Sequence, residues 1–186
     1  VAGIGDKVFL GCSVLRSIAI PDSITDIGNG AVFGCYYLTN AALGNGVIDI
    51  GDNAFQGCSG LQSIAIPDST IHLGDGAFNY CTGLTHVAMG HGVTNIGDVA
   101  FSECRGLASL ELPDSVSRVG IHAFSGCSGL TDVDLGHGLT AIDAMAFSGC
   151  TGLTNIAFPP SLGTIGAAAF AQCGLARIEI SSNVVS

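Results

Sequence analysis

The residues best suited to chemistry are eight cysteines on one arithmetic series: Cys12, Cys35, Cys58, Cys81, Cys104, Cys127, Cys150 and Cys173, each 23 residues from the next. Thiols can form disulfides, hold a metal or act as nucleophiles, and equal spacing argues against all three. If each interval is one turn of chain stacked on the last, the Cβ vectors run parallel and about 4.8 Å apart, beyond the roughly 3.5 to 4.5 Å a disulfide needs. Zinc sites grow from close C-x-x-C pairs, and the sequence has none. The expectation is a column of reduced thiols packed as small apolar groups, which says little about redox compartment.

A second column holds Asp6, Asn29, Asp52, Asp75 and Asp98. Their short oxygens can cap the unpaired N–H groups of the turn that follows, or a row of like charges can recruit Ca²⁺. Capping is the first reading. Histidines give a third series, since His91 and His137 share a turn column with Asp22, Asn45, Asp68 and Asp114. That arrangement is a polar rim by default and a pH-sensitive or metal-binding ladder by alternative. No G-x-S-x-G, H-E-x-x-H, Walker loop or G-x-G-x-x-G occurs. No catalytic residue, metal ligand set or cofactor is assigned.

The elements that position these columns are short. Three residues before each Cys stands Phe9, Val32, Phe55, Phe78, Phe101, Phe124, Phe147 or Phe170, and eight before it Ile4, Ile27, Ile50, Leu73, Ile96, Val119, Ile142 or Ile165. After the Cys comes L-x-x-I-x-I, as in Leu61-Gln62-Ser63-Ile64-Ala65-Ile66, the strand signature of a leucine-rich repeat. One coil is then a strand, a turn, a second short extended piece, and a helical turn carrying Ala-Phe-x-x-Cys. Roughly six buried apolar side chains at ~1.5 to 3 kcal/mol each do not offset ordering 23 residues at about 1.5 kcal/mol apiece. Stacked coils support one another, and stability becomes a nearest-neighbour sum. The fold class is an α/β repeat solenoid with a parallel concave sheet, short second strands and about eight coils, a rod about 40 Å long.

The coil Ile50-Gly51-Asp52-Asn53-Ala54-Phe55-Gln56-Gly57-Cys58-Ser59-Gly60-Leu61 through Ser69 closely resembles the cysteine-marked, 23-residue BspA-like leucine-rich repeat, and the resemblance covers the whole chain. It implies a mostly extracellular or surface protein used in adhesion and protein binding, with no shared catalytic residue. A cytoplasmic location is the alternative. Departures are Val32 for Phe, Asp143 for the Gly after Ile, and a residue lost between Cys173 and Ile178, which predicts a distorted last coil. Above the 23-residue period, the turn after the strand alternates between Pro-Asp-Ser (Pro21, Pro67, Pro113) and Gly-x-Gly (Gly44, Gly90, Gly136). The Gly turns are expected to use positive φ. Tandem duplication of a pair explains the alternation without a functional meaning.

Fifteen acidic against five basic residues give a formal charge of −10, which repels nucleic-acid backbones and anionic lipid. No apolar run is long enough for membrane insertion. The outward strand positions form columns that include Arg16, Gln62, Asn40, His86 and Asn155, with Glu111, Asp132 and Asp134 as the marked charge. Those three favour a basic protein partner. Tyr36 and Tyr37 replace the usual Ser-Gly after the Cys and read either as contact anchors or as a plug beside Val32 and Phe33. Toward the C-terminus Ile121, Ala144 and Ala167 replace the acids, with Met145 alongside, as an assembly face if exposed and core if covered. The ends, Val1-Ala2-Gly3-Ile4 and Ser182-Asn183-Val184-Val185, lack polar caps. They read as an excerpt of a longer array, or as faces for end-to-end self-association. The chain is therefore expected to be one solenoid over residues 1–186, a non-catalytic protein-binding or adhesion module. The alternative is a structural subunit of a larger assembly.

Overall fold

The computed structural model describes residues 2–180 and 184; Val1, Ser182, Asn183 and Val185, on which the reading of the ends partly rests, lie outside them. The strands in chain order are β1 (Gly3–Ile4), β2 (Ser17–Ile20), β3 (Asp26–Ile27), β4 (Asn40–Leu43), β5 (Asp49–Ile50), β6 (Ser63–Ala65) and β7 (His72–Leu73). They continue as β8 (His86–Ala88), β9 (Asn95–Ile96), β10 (Ser109–Glu111), β11 (Arg118–Val119), β12 (Asp132–Asp134), β13 (Ala141–Ile142) and β14 (Thr164–Ile165). All pairings are parallel and advance by one 23-residue coil, so the chain is a right-through stack of coils.

Continuity lies in the second extended piece. Its two-residue strands form one eight-stranded sheet in the order β1-β3-β5-β7-β9-β11-β13-β14. The L-x-x-I-x-I strands, expected to make the continuous sheet, pair only two by two: β2 with β4, β6 with β8 and β10 with β12. Each pair is a proline-bearing coil followed by a glycine-bearing one. Pro67 and Pro113 follow β6 and β10 directly after one residue, and a residue without N–H cannot return a rung to the preceding coil. Within a pair the ladder runs on past the strand ends, with Ile66 N–H donating to Ala88 O at 2.8 Å and Leu112 N–H to Asp134 O at 2.9 Å.

The Ala-Phe-x-x-Cys segment is not helical, and no helix occurs among the described residues. Its N–H groups alternate. Asn53, Phe55 and Gly57 donate to Asp75, Ala77 and Asn79 of the next coil at 2.7 to 2.8 Å, while Ala54, Gln56 and Cys58 donate three residues back within the coil. A helix would use every N–H internally; here half of them bond neighbouring coils together. The alternation requires two residues per coil in the left-handed region, four apart: Gly30 and Gly34, Asn53 and Gly57, Gly76 and Tyr80, Val99 and Glu103, His122 and Gly126. For β-branched Val99, with φ 50°, that conformation is strained.

The core is a set of ladders. Phe55, Phe78, Phe101, Phe124, Phe147 and Phe170 stack with centroids 5.2 to 5.3 Å apart and planes within 9° of parallel. Phe158 closes on Phe170 edge-on at 5.6 Å. The Leu column from Leu38 to Leu153 is fully buried beside it. All eight cysteines are free, six of them buried. Each inner thiol also donates to the carbonyl of the preceding coil: Cys81 Sγ to Phe55 O, Cys104 Sγ to Phe78 O and Cys127 Sγ to Phe101 O, all at 3.2 Å. That carbonyl already accepts its own Cys N–H, so the thiol supplies its second, weaker bond.

The pairing of turns has a steric cause. A Cβ on Gly46 would lie 1.8 Å from Asp22 O, one on Gly92 2.2 Å from Asp68 O, and one on Gly138 1.8 Å from Asp114 O. Gly-x-Gly is therefore required by close approach of the Pro-Asp turn before it; positive φ, the expected reason, holds at Gly136 but at neither Gly44 nor Gly90. The same Asp residues reach across. Asp22, Asp68 and Asp114 accept the N–H of Asn45, His91 and His137 through Oδ1 at 2.7, 2.8 and 2.7 Å.

Candidate binding surface

The outward positions of the paired strands are all exposed, because they alternate on a period of two with inward residues, a buried Ile, Leu or Val in β6, β10 and β12, and half-buried Ile18 and buried Ala41 in β2 and β4. Arg16, Asn40, Gln62, His86, Glu111, Asp132, Asp134 and Asn155 stand on this face. Register brings Glu111 directly opposite Asp134, and Ser109 opposite Asp132. Like charges set opposite one another disfavour the pair, so this cluster is held by the fold rather than holding it. Asp134 Oδ1 accepts the N–H of Gly136 at 2.9 Å. Asn155 is set apart, since residues 153–158 form no strand; it lines a shallow cavity of about 580 Å³ with Phe158, Arg177 and Glu179. Residues 173–180 of the last coil form no strand either, which leaves residues 153–158 without a partner strand, as the lost residue after Cys173 leads one to expect.

Tyr36 and Tyr37 are 56% and 61% exposed, so neither ring plugs the core. The Arg16 guanidinium sits 6.0 Å from the Tyr37 ring centroid. Tyr36 borders a cleft of about 360 Å³ with Phe33, Gln56, Gly57 and Tyr80. Tyr80 escaped the sequence reading. Its signal was available: it is an aromatic ring in a column that holds Gly11, Gly34, Gly57, Gly126 and Gly149 elsewhere.

Ile121 and Met145 are each 40% exposed, Ala167 is exposed and Ala144 half-buried. The strip expected to be either core or contact face is an open surface.

The acidic column does not cap its own turn. Asp6, Asn29, Asp52, Asp75 and Asp98 accept, through Oδ1, the N–H of the residue 23 positions later: Asn29, Asp52, Asp75, Asp98 and Ile121, at 2.7 to 2.9 Å. It is an inter-coil ladder that ends where Ile121 has no oxygen to pass on. Beside it runs a trough of about 460 Å³ floored by Gly51, Gly74 and Gly97, with His72 Nε2 3.9 Å from Asp49 Oδ1. Arg118 pairs with Asp143 at 2.6 Å, which places a carboxylate where other coils have glycine. The His91 and His137 contact with Asp68 and Asp114 runs through their backbone N–H groups.

Burial pushes the thiols of Cys58 and Cys127 up to about 12, and those of Cys81, Cys104 and Cys150 well above the ordinary value; neighbouring thiols add repulsion at Cys58, Cys81, Cys104 and Cys150, and the Glu103 carboxylate adds it at Cys127. At neutral pH they are protonated donors, the opposite of activated nucleophiles.

The sequence pattern of the BspA type leucine rich repeat region matches in six copies, over residues 2–131 and 73–186. The chain belongs to that family. Solved proteins similar to it include a leucine-rich repeat protein from Bacteroides ovatus, 27% identical with a TM-score of 0.70, covering 91% of this chain and 50% of that one. The T. pallidum leucine rich repeat protein is 27% identical with a TM-score of 0.65, covering 94% and 71%. A Eubacterium ventriosum leucine-rich repeat protein, 24% identical, shares the fold with a TM-score of 0.83, covering 90% and 46%. This BspA-type chain spans about half the length of the Bacteroides and Eubacterium proteins. No curated protein matches it.

Proposed function

We propose that this BspA-type chain is a non-catalytic protein-binding module that works outside the cell and displays the outward face of its paired strands. The observation that carries the reading is the cluster of Glu111, Asp132 and Asp134, exposed and in register on β10 and β12 despite mutual repulsion. Its charge complements a lysine- or arginine-rich partner. Similarity to the pneumococcal vaccine antigen PcpA, 25% identical with a TM-score of 0.64 over 47% of that chain, supports the extracellular placement. Arg16, Tyr36 and Tyr37, at the other end of the solenoid, supply the side-chain types that dominate contact energies.

The test is binding of the 186-residue chain to immobilised lysine-rich peptides, with acidic peptides of equal length alongside. Preference for the basic set, weakened at least about fivefold by combined Glu111→Gln, Asp132→Asn and Asp134→Asn, is expected. Equal binding to both sets, or an unaltered triple variant, refutes the assignment. The exposed Ile121 and Met145 favour a second reading, self-assembly through that strip. Light scattering tests it: Met145→Asp shifts an oligomer toward monomer if the strip is an interface, and leaves the mass unchanged if it is not.

A further inference from the structure

The sequence holds two Asn-Gly pairs, Asn29-Gly30 and Asn45-Gly46, and the fold treats them oppositely. Asn-Gly is the pair most open to intramolecular cyclisation, because glycine leaves the following backbone nitrogen unhindered. At the first pair both reacting groups are engaged. Asn29 Oδ1 accepts the N–H of Asp52 at 2.8 Å, and the Gly30 N–H donates to Asp52 O at 2.8 Å. Gly30 is also buried and fixed at φ 59°.

At the second pair these locks are missing. Asn45 is exposed, and the bond that anchors it to Asp22 uses its backbone N–H, leaving the side-chain amide in solvent. The turn is closed by Val47 N–H on Gly44 O at 3.2 Å, a bond that does not involve the Gly46 nitrogen. The homologous turns carry His91-Gly92 and His137-Gly138, so this chemistry is confined to one rim position.

We infer that Asn45-Gly46 is a site of spontaneous modification, at which the side-chain amide is converted to a carboxylate or an isoaspartyl linkage while Asn29-Gly30 is protected. The Gly46 nitrogen gives its proton to solvent and bonds to Asn45 Cγ as the Cγ–Nδ2 bond breaks, releasing ammonia and closing a five-membered imide. Water then opens the ring. Cleavage at Cγ yields an ordinary aspartate, and cleavage at the main-chain carbonyl routes the backbone through Cβ; nothing is oxidised or reduced. The first product adds a negative charge to a column that already holds Asp22 and Asp68. The second lengthens the main chain beside Gly46, where even an added Cβ would meet Asp22 O at 1.8 Å, so it pries apart the first Pro/Gly pair of turns.

The folded chain is incubated at mildly alkaline pH, digested and mapped by mass spectrometry, with isoaspartate read separately by enzymatic methylation. A sample in concentrated urea gives the unprotected rates of both pairs. Conversion at 45 exceeding that at 29 by roughly tenfold or more in the folded chain, against near equality in urea, is expected. Asn45→His, which installs the residue of the homologous turns, removes the faster signal and leaves the slow one. Equal rates in the folded chain, faster reaction at 29, or no reaction at 45 while the urea sample converts, overturns the inference.

Discussion

Replacing Gly138 by alanine tests whether close approach between turns underlies the alternation of the repeat. The new Cβ would lie 1.8 Å from Asp114 O and 2.9 Å from Asp114 C. An ordinary C···O contact is about 3.3 Å, so one turn must yield by about 1.5 Å. That movement breaks the His137 N–H bond to Asp114 Oδ1, at 2.7 Å the shortest tie between these turns. A bond to a charged group contributes about 1.5 kcal/mol, and backbone displacement adds about 1 to 3 kcal/mol of overpacking. The expected loss is about 3 kcal/mol. Gly163→Ala is the control, since its Cβ meets only Thr140 O at 3.6 Å, and a gain of up to about 1 kcal/mol is expected there from the unfolded state. Asp114→Ala removes the acceptor without adding bulk and falls between them. Urea unfolding followed by circular dichroism measures all three. The reasoning fails if Gly138→Ala stays within about 0.5 kcal/mol of the parent, or if Gly163→Ala is equally damaged.

Val99→Gly relieves a β-branched residue held at φ 50° and is expected to raise stability by about 1 kcal/mol in the same assay; a loss would mean that its side chain matters more than its backbone. Asp98→Ala leaves the Ile121 N–H without its 2.8 Å acceptor and costs about 1 kcal/mol, whereas Asp98→Asn, mirroring Asn29 three coils earlier in the same column, is tolerated. Thiol pKa values raised on folding make stability complete below the unfolded value of about 9 and erode it as pH climbs toward about 12, the folded value of Cys58 and Cys127. The slope approaches about 1.4 kcal/mol per pH unit for each such thiol. Melting temperatures from pH 8 upward should therefore fall; a flat profile would show the thiols to be accessible when folded.

What could be read in advance follows the geometry of stacking. The Phe, Ile, Leu and Cys columns were legible because a 23-residue period in apolar residues has one physical use, a ladder in which each rung covers the next. The exposed face was legible for a related reason, since Ile64, Leu110 and Val133 alternate with outward neighbours. The turn before Cys was misread as helical because Ala54, Phe55 and Cys58 have helix-like spacing, whereas the alternation of donors between coils leaves no trace in residue type except at Gly34 or Gly57. The Asp column was recognised as an acceptor, but its donor lies 23 residues onward, and capping rules look only within the local turn. The interruption of the strand sheet was written in Pro67 and Pro113, and the alternation with Gly-x-Gly was visible; the missing proline N–H was read as shaping the turn alone, although it also removes a rung toward the preceding coil.

The steric pairing of turns also constrains how such an array can change length. Excising one 23-residue unit would bring two proline turns, or two glycine turns, face to face. In the first case a side chain occupies the space that Gly46 and Gly138 keep empty; in the second the Asp22-type carboxylate is missing from the joint. Insertions and deletions that keep the seams intact therefore come in even steps, and the crossovers that preserve every seam are those one doublet, or a multiple of it, out of phase.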